Sequence, residues 1–383
     1  MKNAIKLVVA LTLIVSMIWF VPGGQPENVS AYLGWVGADG SPYFGGALPQ
    51  PFDINVSNDG GISVSGFDRD LVLDAYNDPH IAWFSNSVSG AEELYVNYVH
   101  WDDTQQTWLC ANGDNYAVTP ASARVGTRTA DVDDDYASLS LALDSNRRPH
   151  LAISGVDNND GDIVYVRWNG SAWVSLDGVD YLTNPDAANV TDSANFGGGG
   201  QPVMQGIDCF PSLALDAENN PNLAWQHDSD DNAVNRSWEI YFIHTVQNQT
   251  IWRSSGANGF QFWLKSHFDK CRVSNNDGDS VYPSMVLSFN DPLDTAGLGM
   301  PHIAWQDDTW NGNEEIAHLL WHGDENGGNN SPWYCVDGSA YDPSIAANPA
   351  NVSRNTGDSN NPSLVVDSSN SPIHQHGKTK QML

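Results

Sequence analysis

The stretch Pro211-Ser-Leu-Ala-Leu-Asp216 is followed, after a gap of four residues, by Pro221-Asn-Leu-Ala-Trp225. Each half is a short apolar run bounded by Pro, Asp or Asn, which is typical of a β-strand, and the gap is typical of a tight turn. The proline that opens the second run suits the first position of a strand, because no hydrogen-bond donor of the sheet is lost there. The stretch therefore predicts two antiparallel strands joined by a turn.

The same pattern recurs along the chain at a nearly constant interval. The residues that end the first run in successive copies are Asp74, Asp144, Asp216, Ser288 and Asp367. The steps between them are 70, 72, 72 and 79 residues. In four copies a third apolar run follows, and a fourth run begins at Trp108, Trp173, Trp252 or Trp333. Units of four strands repeated without helices indicate an all-β propeller of four-stranded blades, whereas tandem β-sandwiches need about seven strands in each domain.

The repeats account for most of the chain. We predict a propeller over residues 32–372, with repeat units at 67–135, 136–209, 210–281, 282–360 and a partial fifth unit at 361–372. Three of the fourth runs, at residues 108–116, 173–181 and 333–341, share a Trp, an Asn-Gly or Asp-Gly pair and a Tyr at fixed spacing, and we call this pattern the fourth-strand motif. The segment from Trp35 to Tyr43 matches it, and we expect this segment to close the ring by pairing with strands from the other end. Residues 373–383 match no repeat, which favours a C-terminally truncated ring; a five-bladed ring with an incomplete last blade is the alternative.

The N-terminus has the features of a secretory signal peptide. Lys2 and Lys6 precede an apolar run from Leu7 to Val21, and small residues stand at positions 29–31. The run is shorter than the roughly twenty residues that a membrane-spanning helix needs. We therefore predict cleavage after residues 1–31 and a secreted or cell-surface protein, with a membrane anchor as the alternative.

Composition excludes several classes of function. The chain has 47 Asp and Glu against 16 Lys and Arg, which gives a formal net charge of −31 at pH 7. Binding to nucleic acid or to anionic membranes needs clustered Lys and Arg. Hydrophobic residues make up 40% of the chain, which is too many for a disordered acidic polymer. We therefore expect a packed domain that binds neither nucleic acid nor anionic lipid.

Four cysteines allow three disulfide pairings, and none has the CxxC spacing of a zinc or thiol-redox site. Cys209 and Cys271 both fall in segments that lead from a fourth strand to the next first strand, on either side of the third unit. We predict a disulfide between them. Buried thiols are the alternative.

Strand alternation separates two faces of the predicted ring. Turns between first and second strands are short and uniform, at residues 75–78, 145–148 and 217–220. Connections from the second to the third strand, and from the fourth strand to the next unit, are variable and acidic. Variable loops on a rigid scaffold are the usual location of function. We expect ligands on this second face.

Acidic residues interrupted by glycine suggest a cation site. The predicted ligands are Asp157, Asp160, Asp162, Asp228 and Asp230. Their carboxylates are the hard oxygen donors that Ca²⁺ prefers, although the segment lacks the downstream Glu of an EF-hand loop. A solvated acidic turn is the alternative.

Aromatic residues and histidines fall into two groups. Trp238 and Trp310 lie in irregular segments and are candidates for stacking on sugars. His80, His150 and His302 recur at one position of the repeat, which favours a structural role. Trp83, Trp225 and Trp305 recur likewise and are predicted to pack between neighbouring blades.

The Pro-Ser-Leu-Ala-Leu-Asp and Pro-His-Ile-Ala-Trp repeats resemble those of secreted sialidase-like β-propeller proteins, many of them surface proteins of bacteria and archaea. The resemblance covers most of residues 35–372 and implies the fold. Sialidases carry an arginine triad, a Tyr/Glu nucleophile pair, an acid/base Asp and Ser-x-Asp-x-Gly-x-x-Trp turns. The arginines of this chain, such as Arg69, Arg124, Arg167 and Arg253, do not follow that pattern. No catalytic residue is carried over.

These observations favour a binding or interaction module with a glycan or extracellular protein ligand on the acidic loop face. A sialidase-like glycoside hydrolase is the alternative, because paired carboxylates about 5–9.5 Å apart hydrolyse glycosides.

Overall fold

The computed structural model describes residues 56–57, 63–65, 70–85, 93–131, 136–155, 162–191, 207–228, 238–245, 252–254, 271–274, 276, 278–289, 294, 297–309, 313–321, 333–342, 350–366 and 372–378. The chain divides into two compact units, Met1–Ile54 and Asn55–Leu383, and every described residue belongs to the second. The predicted signal peptide and the closing strand at 35–43 lie outside the described residues.

The described strands form five successive antiparallel sheets. Sheet one contains β1 (Ser63–Ser65), β2 (Leu71–Leu73), β3 (Pro79–Ser85), β4 (Glu93–Asp102), β5 (Thr107–Cys110) and β6 (Arg124–Asp131). Sheet two contains β7 (Ser138–Leu143), β8 (Pro149–Ser154), β9 (Val164–Trp168) and β10 (Trp173–Val174). Sheet three contains β11 (Asp208–Leu215), β12 (Pro221–Asp228), β13 (Trp238–His244) and β14 (Arg253–Ser254). Sheet four contains β15 (Ser280–Ser288), β16 (Met300–Asp307), β17 (Glu315–Trp321) and β18 (Trp333–Cys335). Sheet five contains β19 (Ser359–Val366) and β20 (Pro372–Lys378), and single 3₁₀ turns occur at Pro120–Ala123 and Pro185–Ala188.

The first strands of consecutive sheets lie side by side. β7 contacts β11, β11 contacts β15, and β15 contacts β19, while the later strands of each sheet pair outward in chain order. Four-stranded antiparallel sheets packed around their first strands are the blades of a β-propeller. The predicted all-β propeller fold is confirmed.

In sheets two, three and four, a serine at one position of the repeat joins the first strand to the first strand of the next sheet. Its Oγ accepts a backbone N–H from the first strand of the following sheet. The three bonds run from Leu213 to Ser140 at 3.0 Å, from Met285 to Ser212 at 2.9 Å, and from Leu364 to Ser284 at 3.0 Å. The serine of the Pro-Ser-Leu motif is therefore a connection between blades.

Three first strands contain a bulge immediately before the motif proline. Phe210, Tyr282 and Asn361 have φ of 51°, 54° and 51°, and the register of β11, β15 and β19 shifts at these residues. Proline has no N–H, so it fits a position where the sheet ladder is interrupted. Sheet two has Leu139 at that position, and its register is regular.

The fourth-strand motif folds back on itself as a tight turn. Within it, the tyrosine N–H donates to the tryptophan carbonyl, at 3.0 Å for Tyr116 and Trp108 and at 3.0 Å for Tyr341 and Trp333. The motif glycine has positive φ in each case, for example 81° at Gly338. A glycine adopts this conformation without the steric cost that a Cβ imposes.

The fifth sheet extends past the predicted boundary at residue 372. β20 pairs with β19 on both sides of the bulge, from Val366 opposite Pro372 to Ser359 opposite Lys378. Residues 373–378, which match no repeat in sequence, are therefore the second strand of the fifth unit.

The core consists of layers between adjacent sheets. Trp225 is 1% exposed and lies in a cluster with Tyr165 of sheet two, while Trp305 is fully buried in a cluster with Phe242 of sheet three. The prediction that these tryptophans pack between blades is confirmed.

Candidate functional site

The loop face is the end of the sheets where the second strand leads into the third and the fourth leads into the next unit. In sheet three this end carries Asp208, which begins β11, and His227, which lies opposite it on β12. The Asp208 carboxylate accepts the indole N–H of Trp225 at 2.5 Å and lies 2.9 Å from Nδ1 of His227. Both strands are therefore fastened at the loop face by one buried carboxylate.

Sheet four uses a similar carboxylate at the end of its second strand. Asp307 is fully buried, and its Oδ2 accepts Trp305 Nε1 at 2.9 Å, Ser280 Oγ at 2.9 Å and Asn276 Nδ2 at 2.6 Å. Its Oδ1 accepts the Thr309 N–H at 3.0 Å. This carboxylate organises the loop that leaves β16.

A second series of acids lies at the start of the third strand in sheets three and four. Glu239 bonds to Ser274 and Arg272, and Glu315 bonds to Ser353. Each serine Oγ also accepts the N–H of the residue after the acid, at 2.8 Å in sheet three and 2.9 Å in sheet four. The acid and serine together fasten the segment that returns from the fourth strand.

Asp162, one of the predicted metal ligands, belongs to this second series. Its Oδ1 accepts Thr191 Oγ1 at 3.3 Å, and that hydroxyl accepts the Ile163 N–H at 2.9 Å. Asp162 thus has in sheet two the position that Glu239 has in sheet three. The acid before isoleucine at 162–163, 239–240 and 315–316 was a repeated sequence signal for this role that our prediction missed.

Of the other predicted metal ligands, only Asp228 lies among the described residues. Asp228 is 4% exposed at the end of β12, where its N–H donates to the Ile207 carbonyl at 3.0 Å. Asp157, Asp160 and Asp230 lie outside the described residues. Within the described part of the chain, no three His, Cys, Asp or Glu side chains are arranged to hold a metal ion. Calcium binding stays a prediction.

Asp279 lies between sheets three and four, beside two other acids of the loop face. Burial raises the pKa of its carboxyl, and the charges of Asp308 and Asp228 raise this pKa further. The hydrogen bond that the carboxylate accepts from the Trp238 N–H, at 3.1 Å, acts in the opposite direction. Burial also raises the pKa of Glu239, against the effect of its bonds to Arg272 and Ser274.

Trp238 does not lie at the surface. It is 9% exposed and packs with Cys209 and Phe210, and its ring centroid is 6.0 Å from that of Tyr136. The indole therefore has little area left for stacking on a sugar, in contrast to our expectation. Trp310 lies outside the described residues.

The predicted disulfide between Cys209 and Cys271 is not formed. All four cysteines are buried thiols. Cys209 packs with Phe210 and Trp238, whereas Cys271 packs in a different core cluster with Trp225. The two residues lead into and out of the same sheet but enter separate layers of the core.

The recurring histidines are structural, as predicted. Each is buried at the second strand, and its Nδ1 pairs with a residue of the third strand. The partners are Tyr98 Oη for His80 at 2.5 Å, Tyr165 Oη for His150 at 2.6 Å, and His318 Nε2 for His302 at 3.1 Å.

No family model and no curated protein matches the chain, so the resemblance to sialidase-like repeats has no support from sequence comparison. Solved structures do match. A thermostable family-43 glycoside hydrolase is 12% identical, over 83% of this chain and 86% of that one, with a TM-score of 0.37. An α-L-arabinanase from Penicillium chrysogenum, complexed with arabinobiose, is 14% identical over 83% and 76%, with a TM-score of 0.40. An endo-arabinase from Bacteroides thetaiotaomicron is 12% identical over 84% and 99%, with a TM-score of 0.35.

Within the described residues, no helix has the length and apolar character needed to cross a membrane.

Proposed function

We propose that the chain is a binding module of a secreted or cell-surface protein, with a glycan or protein ligand on the loop face. The observation that carries this proposal is that the buried carboxylates at the loop face are already bonded to other side chains of the protein. Asp208, Glu239, Asp307 and Glu315 all bond to side chains of the β-sheet frame. Glycoside hydrolysis needs two carboxyl groups that flank a sugar. These four carboxylates instead hold the loops in place.

A glycoside hydrolase is the second candidate, and one observation favours it. Asp279 is partly buried, and burial together with neighbouring acids raises the pKa of its carboxyl. A raised pKa is what a general acid needs at neutral pH. Asp279 is therefore the residue whose replacement distinguishes binding from hydrolysis.

A glycan array with the full chain tests the binding proposal. Replacing residues 156–161, and separately 229–237, by Gly-Ser segments of equal length should abolish glycan retention, because each segment connects a second strand to a third strand and these strands end at the loop face. Glu218→Ala is the control, since its residue lies in a turn at the opposite end of sheet three. Retention that survives both loop replacements contradicts a glycan site on the loop face.

A further inference from the structure

The turn between the third and fourth strands of sheet two carries the sequence Asn169-Gly-Ser171. It connects β9 with β10, and the side chains of Asn169 and Ser171 are exposed. Asn-X-Ser or Asn-X-Thr, where X is not proline, is the sequon for N-linked glycosylation, which modifies surface segments of exported proteins. Asn169 therefore has both the sequence and the exposure of an acceptor.

The turn is built around the side-chain oxygen of Asn169. Asn169 Oδ1 accepts the N–H of Ser171, the hydroxyl of Ser171 and the N–H of Ala172, each at 2.9 Å. Gly170 has a φ of 103°, which a residue without a Cβ adopts at little cost. The amide nitrogen Nδ2 makes no hydrogen bond within the described part of the chain. The nitrogen that glycosylation modifies is therefore not used by the fold.

Sheet one shows that a turn at this place does not need an amide. Asp102 has the corresponding position between the third and fourth strands, β4 and β5. Its Oδ1 accepts the N–H of Thr104 at 2.9 Å and the N–H of Gln105 at 2.8 Å. A carboxylate oxygen closes that turn, so the turn requires only an acceptor and does not account for the asparagine of sheet two.

Two other sequons among the described residues, at Asn189 and Asn351, have a structural explanation. Their hydroxyl residues, Thr191 and Ser353, accept a backbone N–H at the start of the third strand and bond to the acid before it. In sheet three Arg272 stands in place of the asparagine, and the serine two residues later makes the same bonds. The fold thus uses the hydroxyl at these positions. Asn351 is also only 7% exposed, which leaves no room for a saccharide.

The turn that carries Asn169 lies at the end of the sheets opposite the loop face. Turns from third to fourth strands share this end with turns from first to second strands. A Cβ at Gly170 would lie 3.3 Å from the guanidinium of Arg148, which belongs to the first-to-second turn of the same sheet. A saccharide attached here leaves the loop face open.

We propose that Asn169 is a site of N-linked glycosylation. In this reaction Nδ2 bonds to C1 of a saccharide carried on a lipid phosphate, the bond between C1 and the phosphate oxygen breaks, and the lipid phosphate leaves with the electron pair. The proton lost from Nδ2 goes to a base of the transferase. The proposal rests on export of the chain, which belongs to the function proposed above.

Mass spectrometry of intact glycopeptides from secreted protein tests the site. The full chain is produced in yeast, and a second form carries a host signal peptide in place of residues 1–31, so that one form reaches the transferase whether or not those residues direct export. We expect a saccharide on Asn169 and none on Asn351, because a chain modified at that buried position cannot fold. The saccharide itself is detected, since an Asn-Gly sequence also converts to Asp without glycosylation.

Three variants separate the sequon from the turn. Asn169→Asp keeps the Oδ1 acceptor that Asp102 provides in sheet one, and Ser171→Ala keeps both backbone bonds of the turn. Both should lose the saccharide and still be secreted. Ser171→Thr keeps the hydroxyl of the sequon and should retain the saccharide.

Secreted protein with an unmodified Asn169 would overturn the site. A saccharide that remains on the same peptide in Asn169→Asp would also overturn it, because the attachment would then be to another residue. If only the form with the host signal reaches the medium, export by residues 1–31 is wrong, whereas a saccharide on Asn169 of that form still supports the site.

Discussion

Ser212 and Ser363 occupy the same position of the repeat but have different surroundings. Ser212 is buried and accepts the Met285 N–H, whereas Ser363 is exposed. Ser212→Ala leaves a buried N–H without its acceptor, and we expect it to lower the free energy of unfolding by about 1–3 kcal/mol. Ser363→Ala should change it by less than about 0.5 kcal/mol. Urea denaturation measures both, and equal losses would contradict the connecting role of this serine.

His150 and Tyr165 form a buried pair that sheet three replaces at both positions, with Asn222 and Phe242. Tyr165→Phe alone leaves His150 Nδ1 without its partner, and we expect a loss of about 1–3 kcal/mol in unfolding free energy. Adding His150→Asn copies the pair of sheet three and should recover most of that loss. A double-mutant cycle measures the coupling, and strictly additive losses would argue against a functional pair.

The same pair should make the stability of the wild type depend more strongly on pH than that of the double variant. Burial, with a smaller effect of Arg167, lowers the pKa of His150 to about 3. Unfolded histidine has a pKa near 6.5, so protonation below that pH favours the unfolded state. The contribution of neutral His150 is complete above pH 6.5 and is lost as the pH falls toward 3. Between pH 7 and 4.5 the free energy of unfolding of the wild type should fall by about 2 kcal/mol more than that of the double variant. Parallel pH profiles of the urea midpoint for the two proteins would contradict this.

At the scale of one element, the turn between first and second strands depends on a single carboxylate. Asp216 Oδ1 accepts the N–H of Glu218 at 2.9 Å and of Asn220 at 2.8 Å. Asp216→Ala removes both bonds and should lower the unfolding free energy by about 1–2 kcal/mol. Asp216→Asn keeps an Oδ1 acceptor and should cost less. Thermal unfolding compares the two variants, and equal midpoints would mean that the turn does not need the acceptor.

Elements were predictable from sequence where the interaction is local. The prolines that open β3, β8 and β12 act on their own backbone and were interpreted correctly. Asp162 was grouped with Asp157 and Asp160 because they are adjacent in sequence. Its partner Thr191 is 29 residues away, so only comparison with the acid-isoleucine pairs of the other units, and not its own neighbours, could have indicated this role. Trp238 was misplaced for the same reason, since the sheets that cover it are distant in sequence.

At the scale of the whole molecule, the net charge of −31 should make stability depend on salt. Repulsion among the acids destabilises the compact state, and salt screens it, so the thermal midpoint should rise with NaCl. Ca²⁺ at matched ionic strength should raise the midpoint further if the predicted ligands around Asp160 bind it. Asp160→Asn should remove the extra rise. A Ca²⁺ effect no larger than that of salt contradicts the predicted site.

The central functional claim is that the loop face binds its ligand without cleaving it. The most direct test is mass spectrometry of the oligosaccharides retained by the full chain, after prolonged incubation with wild type and with Asp279→Asn. We predict that the retained saccharides keep their mass with both proteins. Shorter products that appear with the wild type and disappear with Asp279→Asn would contradict the claim and identify a glycoside hydrolase.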